Sequence, residues 1–262
     1  MSLHILLARQ RSGTGVLNSV INAHPEISCV GELFHPNEIS HKNNYFNFLL
    51  QKIRIDPTRA LPGANETNYQ EFMAHIKSLA YKKNIFIDVK YSSTHHFNDY
   101  WHSTFDMPKF LQLCKKDQRK ILHLKRRNYL KTYISGRLAE QNKIWHTQEK
   151  SAIKITSLIL NETSLLNYLR STTRQVNNFD GYLRKYAHVL ELEYEELFQE
   201  NGLLSIQIAE KIADFLEVER KPFETVSPTL IKQTSNNLAA VIENIDEITI
   251  ALNKTEFSWM LQ

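Results

Sequence analysis

The residues with the clearest capacity for chemistry stand in Arg9-Gln10-Arg11-Ser12-Gly13-Thr14-Gly15-Val16, directly after the apolar run Leu3–Ala8. Arg11 brings a multidentate cation. Ser12 and Thr14 bring hydroxyl donors, while Gly13 and Gly15 let the backbone turn sharply and approach an anion closely. Apolar spacing through Val16, Leu17, Val20 and Ile21 predicts that a helix opens here, so its first amides lack intrahelical acceptors and face an incoming anion. This is the chemistry of a phosphate cradle. The same residues also read as a plain strand–helix turn with Ser12 or Thr14 as the cap. The common ATP-binding loop is absent, since no Gly-Lys-Ser/Thr ending follows the first glycine.

A second constellation lies far along the chain. Ile121-Leu122-His123-Leu124 reads as a core strand that runs into Lys125-Arg126-Arg127-Asn128, and Ser135 follows eight positions after Arg127. Two helical turns from Tyr129 bring Ser135 back toward the strand end. Taken alone, Arg126 and Arg127 are a surface charge cluster and Ser135 an ordinary helical serine. Among the acids, Glu32 can serve as a proton acceptor if burial raises its proton affinity. Lys90, at the end of the Ile85–Val89 run, can pair with Glu32, bind an anion, or stand exposed. His35, His95 and His96 are alternative proton acceptors. Cys29, Glu32 and His35 lack the spacing of a zinc site, and no metal is expected. Cys29 and Cys114 can pair, although buried thiols are the simpler expectation.

Arg11-Ser12-Gly13-Thr14 after a strand resembles the nucleotide loop of sulfotransferases that use 3′-phosphoadenosine 5′-phosphosulfate (PAPS). Gly31-Glu32-Leu33-Phe34-His35-Pro36 is similar to a segment of bacterial members that act on carbohydrates or metabolites. Arg127 and Ser135 match the pair that holds the nucleotide 3′ phosphate in that family, although Tyr129 and Lys131 depart from its usual residues. The run from His188 to Leu197 resembles the family's Tyr-Glu-Asp-Leu strand end, with Glu196 in the Asp place and Tyr194 as a structural residue beneath the site. The resemblance implies an α/β fold of the P-loop-like sulfotransferase type. It implies a donor held by Arg11, Ser12, Gly13, Thr14, Gly15, Val16, Arg127 and Ser135, with 3′-phosphoadenosine 5′-phosphate (PAP) as product. Arg11 would stabilise the departing oxygen and Glu32 would act as base, with Lys90 and His35 as auxiliary or acceptor-side residues. Leu230-Ile231-Lys232-Gln233-Thr234 would approach the adenine or a phosphate.

Near-continuous apolar runs predict strands at Leu3–Ala8, Ile85–Val89, Ile121–Leu124 and Val189–Leu192. Helical patterns cover Val16–Ile21, Tyr69–Tyr81, Lys109–Cys114, Tyr129–Trp145, Ser157–Tyr186, Leu203–Leu216 and Leu238–Ile248, and His24-Pro25 closes the first. Asn37–Asn68, broken by Pro57 and Leu61-Pro62-Gly63, reads as an irregular excursion with short helical pieces. Its aromatics and those of Tyr91–Trp101 either line an acceptor pocket or pack on the sheet. The alternation of strand, loop and helix predicts an α/β chain with a mostly parallel central sheet flanked by helices, in one domain over residues 1–262 with an acceptor-side insertion around 37–68.

Composition is that of an ordinary soluble chain: 262 residues, 42% hydrophobic and 23% charged. No run reaches the ~18 apolar residues of a membrane span and no leader pattern opens the sequence, so a cytoplasmic chain without an integral membrane segment is expected. The excess of 32 basic over 28 acidic residues suits an anionic ligand without demanding nucleic acid. Lys82-Lys83 and Lys115-Lys116 read as solvated surface. The expected activity is sulfuryl transfer from PAPS to a hydroxyl of a small molecule, carbohydrate or lipid. The alternatives are a magnesium–ATP kinase, for which Asp88 offers a carboxylate, and a nucleotide-binding protein without catalysis.

Overall fold

The structure is a computed structural model, and it describes residues 1–99, 106–144, 157–223 and 237–262. Among the described residues five strands form one sheet in the order β2-β3-β1-β4-β5, and every pairing in it is parallel. They are β1 (Ser2–Ala8), β2 (Ile27–Glu32), β3 (Asn84–Lys90), β4 (Ile121–Lys125) and β5 (Val189–Glu193). The central strands β1, β3 and β4 are buried almost throughout because helices cover both faces, which is why their sequences run apolar without alternation. The sheet with its flanking helices is the expected fold class.

Strand β2 is an addition to the sequence-based expectation. Its residues are only partly buried beyond Ile27, and Gly31 interrupts it, so neither periodicity nor a continuous apolar run marks it. Its register against β3 slips between Cys29 and Glu32, a bulge that includes the left-handed Gly31 at φ 79°. Both cysteines are free, Cys114 buried and Cys29 half-buried at this edge.

The helices are α1 (Thr14–Asn22), α2 (Tyr45–Ile55), α3 (Asn65–Ser78), α4 (Lys109–Lys116), α5 (Tyr129–Asn142), α6 (Glu162–Leu183), α7 (Ile206–Leu216) and α8 (Ile245–Asn253). Helix α1 stops where predicted: His24 is fully buried, and Lys82 Nζ caps the carbonyl oxygens of Asn22, His24 and Ile27 at 3.3, 3.1 and 2.8 Å. Lys82 is therefore a capping residue and not part of a solvated patch. The expected excursion over 37–68 contains a full three-turn helix, α2, started by the Asn44 side chain that accepts from Phe46 N. The expected helix over Leu238–Ile248 is corrected. A single 3-10 turn spans Leu238–Ala240, and α8 begins only at Ile245, because the Leu158–Ile242 bridge and the Asn244 side chain, bonded to Leu160, take up the intervening backbone. Trp101 and Trp145 lie outside the described residues.

Aromatic side chains of the 37–68 region and of the turn after β3 pack inward. Phe34 lies 5.3 to 5.8 Å from the rings of Tyr45, Phe72, Phe97 and Phe110. These rings belong to the apolar cluster on one face of the sheet, so between the two readings of the aromatics in those segments the core wins for Tyr45 and Phe97. Offset and edge-on ring pairs of this kind add about 0.5–1.5 kcal/mol each beyond buried area.

Helix α5 depends on one residue at its start. Asn128 is buried, its side chain accepts from Lys131 N at 3.0 Å, and its amide donates to Met260 O at 2.8 Å, so it caps α5 and anchors the C-terminal turn Ser258–Leu261 together. Asn128→Ala is expected to lower stability by about 1–2 kcal/mol, read as a fall in the urea midpoint with an unchanged slope.

Candidate functional site

The sheet order decides where a ligand can sit. The connection after β1 leaves toward β2 on one side, and the connection after β4 leaves toward β5 on the other. A crevice opens at the carboxyl ends of adjacent strands where connections diverge in this way. The Arg9–Gly15 turn and the Arg126–Asn128 turn both lie there.

The first turn is held in an unusual conformation. Arg11 and Gly13 both have left-handed backbone, at φ 64° and 92°. For a non-glycine residue that conformation costs about 1–2 kcal/mol. Gly13 is the N-cap of α1, no side chain caps the helix, and no acidic residue stands in its first turn. Neither Ser12 nor Thr14 acts as the cap; both are buried, and Thr14 Oγ1 accepts from Lys90 Nζ at 2.7 Å. The Tyr194 ring fills the space beside Gly13, where an added Cβ would stand 2.3 Å from two ring carbons. Tyr194 is thus a floor beneath the turn.

Three arginines gather around it. Arg126 is buried, with its guanidinium 4.8 Å from the centre of the Tyr194 ring, and donates to the Arg11 carbonyl oxygen at 3.2 Å. Its Nε is buried without a hydrogen-bond partner among the described residues. Arg11 reaches across to α5, where its Nε and Nη2 donate to Ser135 Oγ at 3.2 and 2.8 Å. Arg9 is pinned to α6 by bonds to Gln175 Oε1 at 3.0 Å and Tyr168 Oη at 2.6 Å. Burial first, and the neighbouring Arg126 second, push Arg11's proton affinity below the arginine norm; burial does the same to Arg126. Two desolvated cations side by side raise the local affinity for an anion.

Arg127 goes elsewhere. Its side chain is half-exposed and pairs with Glu193 and Glu196 at the end of β5. Glu195 accepts the backbone N–H groups of Arg127 and Asn128 at 3.1 and 3.2 Å. The structure therefore brings Arg11 and Ser135 into contact and adds Arg126 to them, while Arg127 faces a cavity of about 730 Å³ that it shares with Arg126, Lys131, Tyr194, Phe198 and Trp259. Sequence reasoning singled out Arg127 by spacing and left Arg126 as surface charge. Both border that cavity, and no local pattern separates them: β4 ends at Lys125, and the Tyr194 ring beneath Arg126 and the Glu193 and Glu196 carboxylates beside Arg127 draw them apart.

A second group sits at the ends of β2 and β3. The bulge at Gly31 sets Glu32 opposite Asp88, and re-aiming a side chain is what such bulges do. Lys90 Nζ lies 2.5 Å from Asp88 Oδ1 and 3.6 Å from Glu32 Oε2. Asn18 donates to the other Asp88 oxygen at 3.2 Å. Lys90 is thus buried and tied to the first turn through Thr14. Glu32 has its proton affinity raised, first by burial and further by Asp88, against the opposing pull of Lys90 and His35. His35 accepts from Asn37 N and caps the turn Pro36–Glu38. The rings of His95 and His96 lie 4.2 Å apart, tilted by 43°, in the 3-10 turn Tyr91–Phe97, and burial lowers His96 to about 4. Leu230–Thr234 lie outside the described residues.

No family model matches the chain, and no curated protein does. Among solved structures, a sulfotransferase from Alicyclobacillus acidocaldarius is similar over 100% of this chain and 96% of its own, at 12% identity and a TM-score of 0.46. A mouse sulfotransferase complexed with PAP is similar over 99% of this chain and 88% of its own, at 13% identity and a TM-score of 0.45. Likenesses this distant carry no weight for the chemistry, which stands on the residues themselves.

The turn's dependence on Gly13 is directly measurable. Gly13→Ala adds a Cβ against Tyr194 in a backbone conformation that alanine resists, and is expected to cost about 1–3 kcal/mol. Gly136→Ala is the control: the added Cβ meets only Arg11 Cγ at 4.0 Å, within a helix, and is expected to stabilise by about 0.5–1 kcal/mol. Thermal or denaturant midpoints of the two variants check the contrast.

Proposed function

We propose that this protein transfers a sulfuryl group from PAPS to the hydroxyl of a small molecule, carbohydrate or lipid. The observation that carries the reading is the buried Arg126, whose unpartnered Nε stands beside Arg11, Ser135 and the uncapped start of α1. These donors suit an anion with more than one phosphate-type group. The open start of α1 with Ser12, Gly13, Thr14, Gly15 and Val16 would hold the 5′ phosphate. Arg126 and Ser135, with Arg127 at the rim, would hold the second phosphate. On binding, Arg11 and Ser135 exchange their mutual bond for donor oxygens.

The transfer breaks the bond between sulfur and the phosphate oxygen and forms one to the acceptor oxygen. Arg11 stabilises charge on the departing oxygen by position and field, since a guanidinium is too weak an acid to give up its proton readily. Glu32 receives the acceptor's proton. Lys90, held between Asp88 and Glu32, orients the carboxylate and extends positive charge toward Thr14. Asp88 is committed to Lys90 and Asn18, so no observation favours its use as a magnesium ligand in an ATP-dependent kinase. The reading includes one catalytic domain acting in the cytoplasm.

Calorimetric titration with PAP and with magnesium–ATP tests the donor. PAP is expected to bind and magnesium–ATP to bind at least tenfold more weakly. Arg126→Ala is expected to weaken PAP by about 2–4 kcal/mol as a buried charged hydrogen-bonding partner, and Arg127→Ala by less than 1 kcal/mol as an exposed, already paired cation. Affinity for magnesium–ATP with none for PAP would reject the reading.

The base is tested by pH. Only the ionised carboxylate accepts a proton, so activity falls as pH drops through the Glu32 value, which burial places above the ordinary carboxylate range near ~4.3. Glu32→Gln is expected to remove that acidic limb and to lower kcat about 10²–10⁴-fold with PAP affinity preserved. An unchanged acidic limb in the variant excludes Glu32 as the base.

A further inference from the structure

On the face of the sheet that carries α6, His123 of β4 is completely buried, and its Nδ1 has no hydrogen-bond partner. Its other nitrogen, Nε2, is fixed by Tyr91 Oη at 2.5 Å. Tyr91 is itself held by stacking on Phe179 at 3.8 Å, so the imidazole has one orientation. Nδ1 points at two carboxylates: Asp180 Oδ1 of α6 at 3.8 Å and Glu191 Oε1 of β5 at 4.0 Å. One ligand atom from each of the three residues lies within 4.8 Å of the others.

We propose that His123, Asp180 and Glu191 form a binding site for a divalent transition ion of the zinc class, independent of the transfer reading. The geometry is close to what such an ion needs. Two ligands each ~2.1 Å from a tetrahedral ion stand ~3.4 Å apart, so the separations from Nδ1 exceed the bound values by only a few tenths of an ångström. The buried imidazole supplies the rigid ligand. Asp180 and Glu191 are partly exposed and close the remaining gap by rotating. The Tyr91 contact suits a metal-bound histidine: with Nδ1 on the ion, Nε2 would carry the proton and donate it to Tyr91 Oη.

Lys125 Nζ lies 3.3 Å from Asp180 Oδ1 and 2.9 Å from Glu191 Oε2. Lys125 Nζ is spent on the two carboxylates and leaves the Nδ1 lone pair unbonded. It neutralises one of two carboxylate charges. A divalent ion meets both demands, takes the carboxylates from Lys125, and ties β4, β5 and α6 at one point.

The test uses the full-length protein, stripped with chelator, and titrated with cobalt(II) by visible absorption and with zinc(II) by calorimetry. One saturable ion per chain with the strong visible bands of low-coordinate cobalt is expected. Glu191→Gln and Asp180→Asn, both at partly exposed positions, are each expected to weaken affinity at least tenfold. Lys125→Met is expected to tighten it at least threefold by removing the competitor. Zinc should raise the melting temperature of the wild type and leave that of Glu191→Gln unchanged. The proposal is overturned if the wild type shows no saturable binding, if both carboxamide variants bind as the wild type does, or if Lys125→Met binds no more tightly.

Discussion

The left-handed turn at Arg11 and Gly13 is the constraint on which the candidate site depends. Arg11 holds a conformation that a non-glycine residue adopts only when something else fixes it, while Gly13 supplies one that glycine adopts freely. Tyr194 supplies the floor and Arg126 the bond to the Arg11 carbonyl. The turn, the end of β4 and the end of β5 are therefore one assembly, and the start of α1 is left uncapped and facing outward within it. A buried arginine with no carboxylate partner among the described residues is costly. Arg126 persists here because its stack on Tyr194 and its carbonyl bond offset part of that cost, and the remaining unmet hydrogen-bonding capacity at Nε is what an anion can satisfy.

The second half of the site follows from a local irregularity. Without the bulge at Gly31, the strict alternation of β2 would keep Glu32 in a regular ladder; the slip sets it opposite Asp88 and within reach of Lys90. Two carboxylates then share one buried ammonium. Asp88, in direct contact, takes the greater share of it. Glu32, farther away, keeps a raised proton affinity. An unequal division of one cation between two acids is how neighbouring carboxyl groups acquire different tasks. Lys90 also bonds Thr14, which couples this acid cluster to the arginine cluster through a single side chain.

Legibility differed by element for identifiable reasons. Strands β1, β3 and β4 announce themselves because burial on both faces demands continuous apolar runs, whereas the edge strand β5 is marked only by Val189, Leu190 and Leu192. Strand β2 lies at the sheet edge, carries a glycine and is half-exposed, so its sequence has neither period. Helix α2 begins at an asparagine cap inside a stretch whose prolines all fall after it, and the prolines dominated the reading. Between Leu238 and Ile248 the apolar spacing suits a helix, yet the backbone pairs with Leu158 and Leu160, a tertiary bond that outweighs local preference.

What the sequence determined by itself is the inventory: a strand feeding a glycine-bearing, cationic turn, a second basic strand end with a serine two turns later, and an acid followed by apolar residues. These are local patterns, and local patterns are set by dihedral preference and periodicity. Only the tertiary structure decided the partnerships. It placed Arg11 on Ser135, turned Arg126 inward and Arg127 onto Glu193 and Glu196, and closed Lys90 over Asp88. Each of those choices depends on which side of a strand a residue falls and which strand lies next to it, and that is fixed by the packing of the whole sheet.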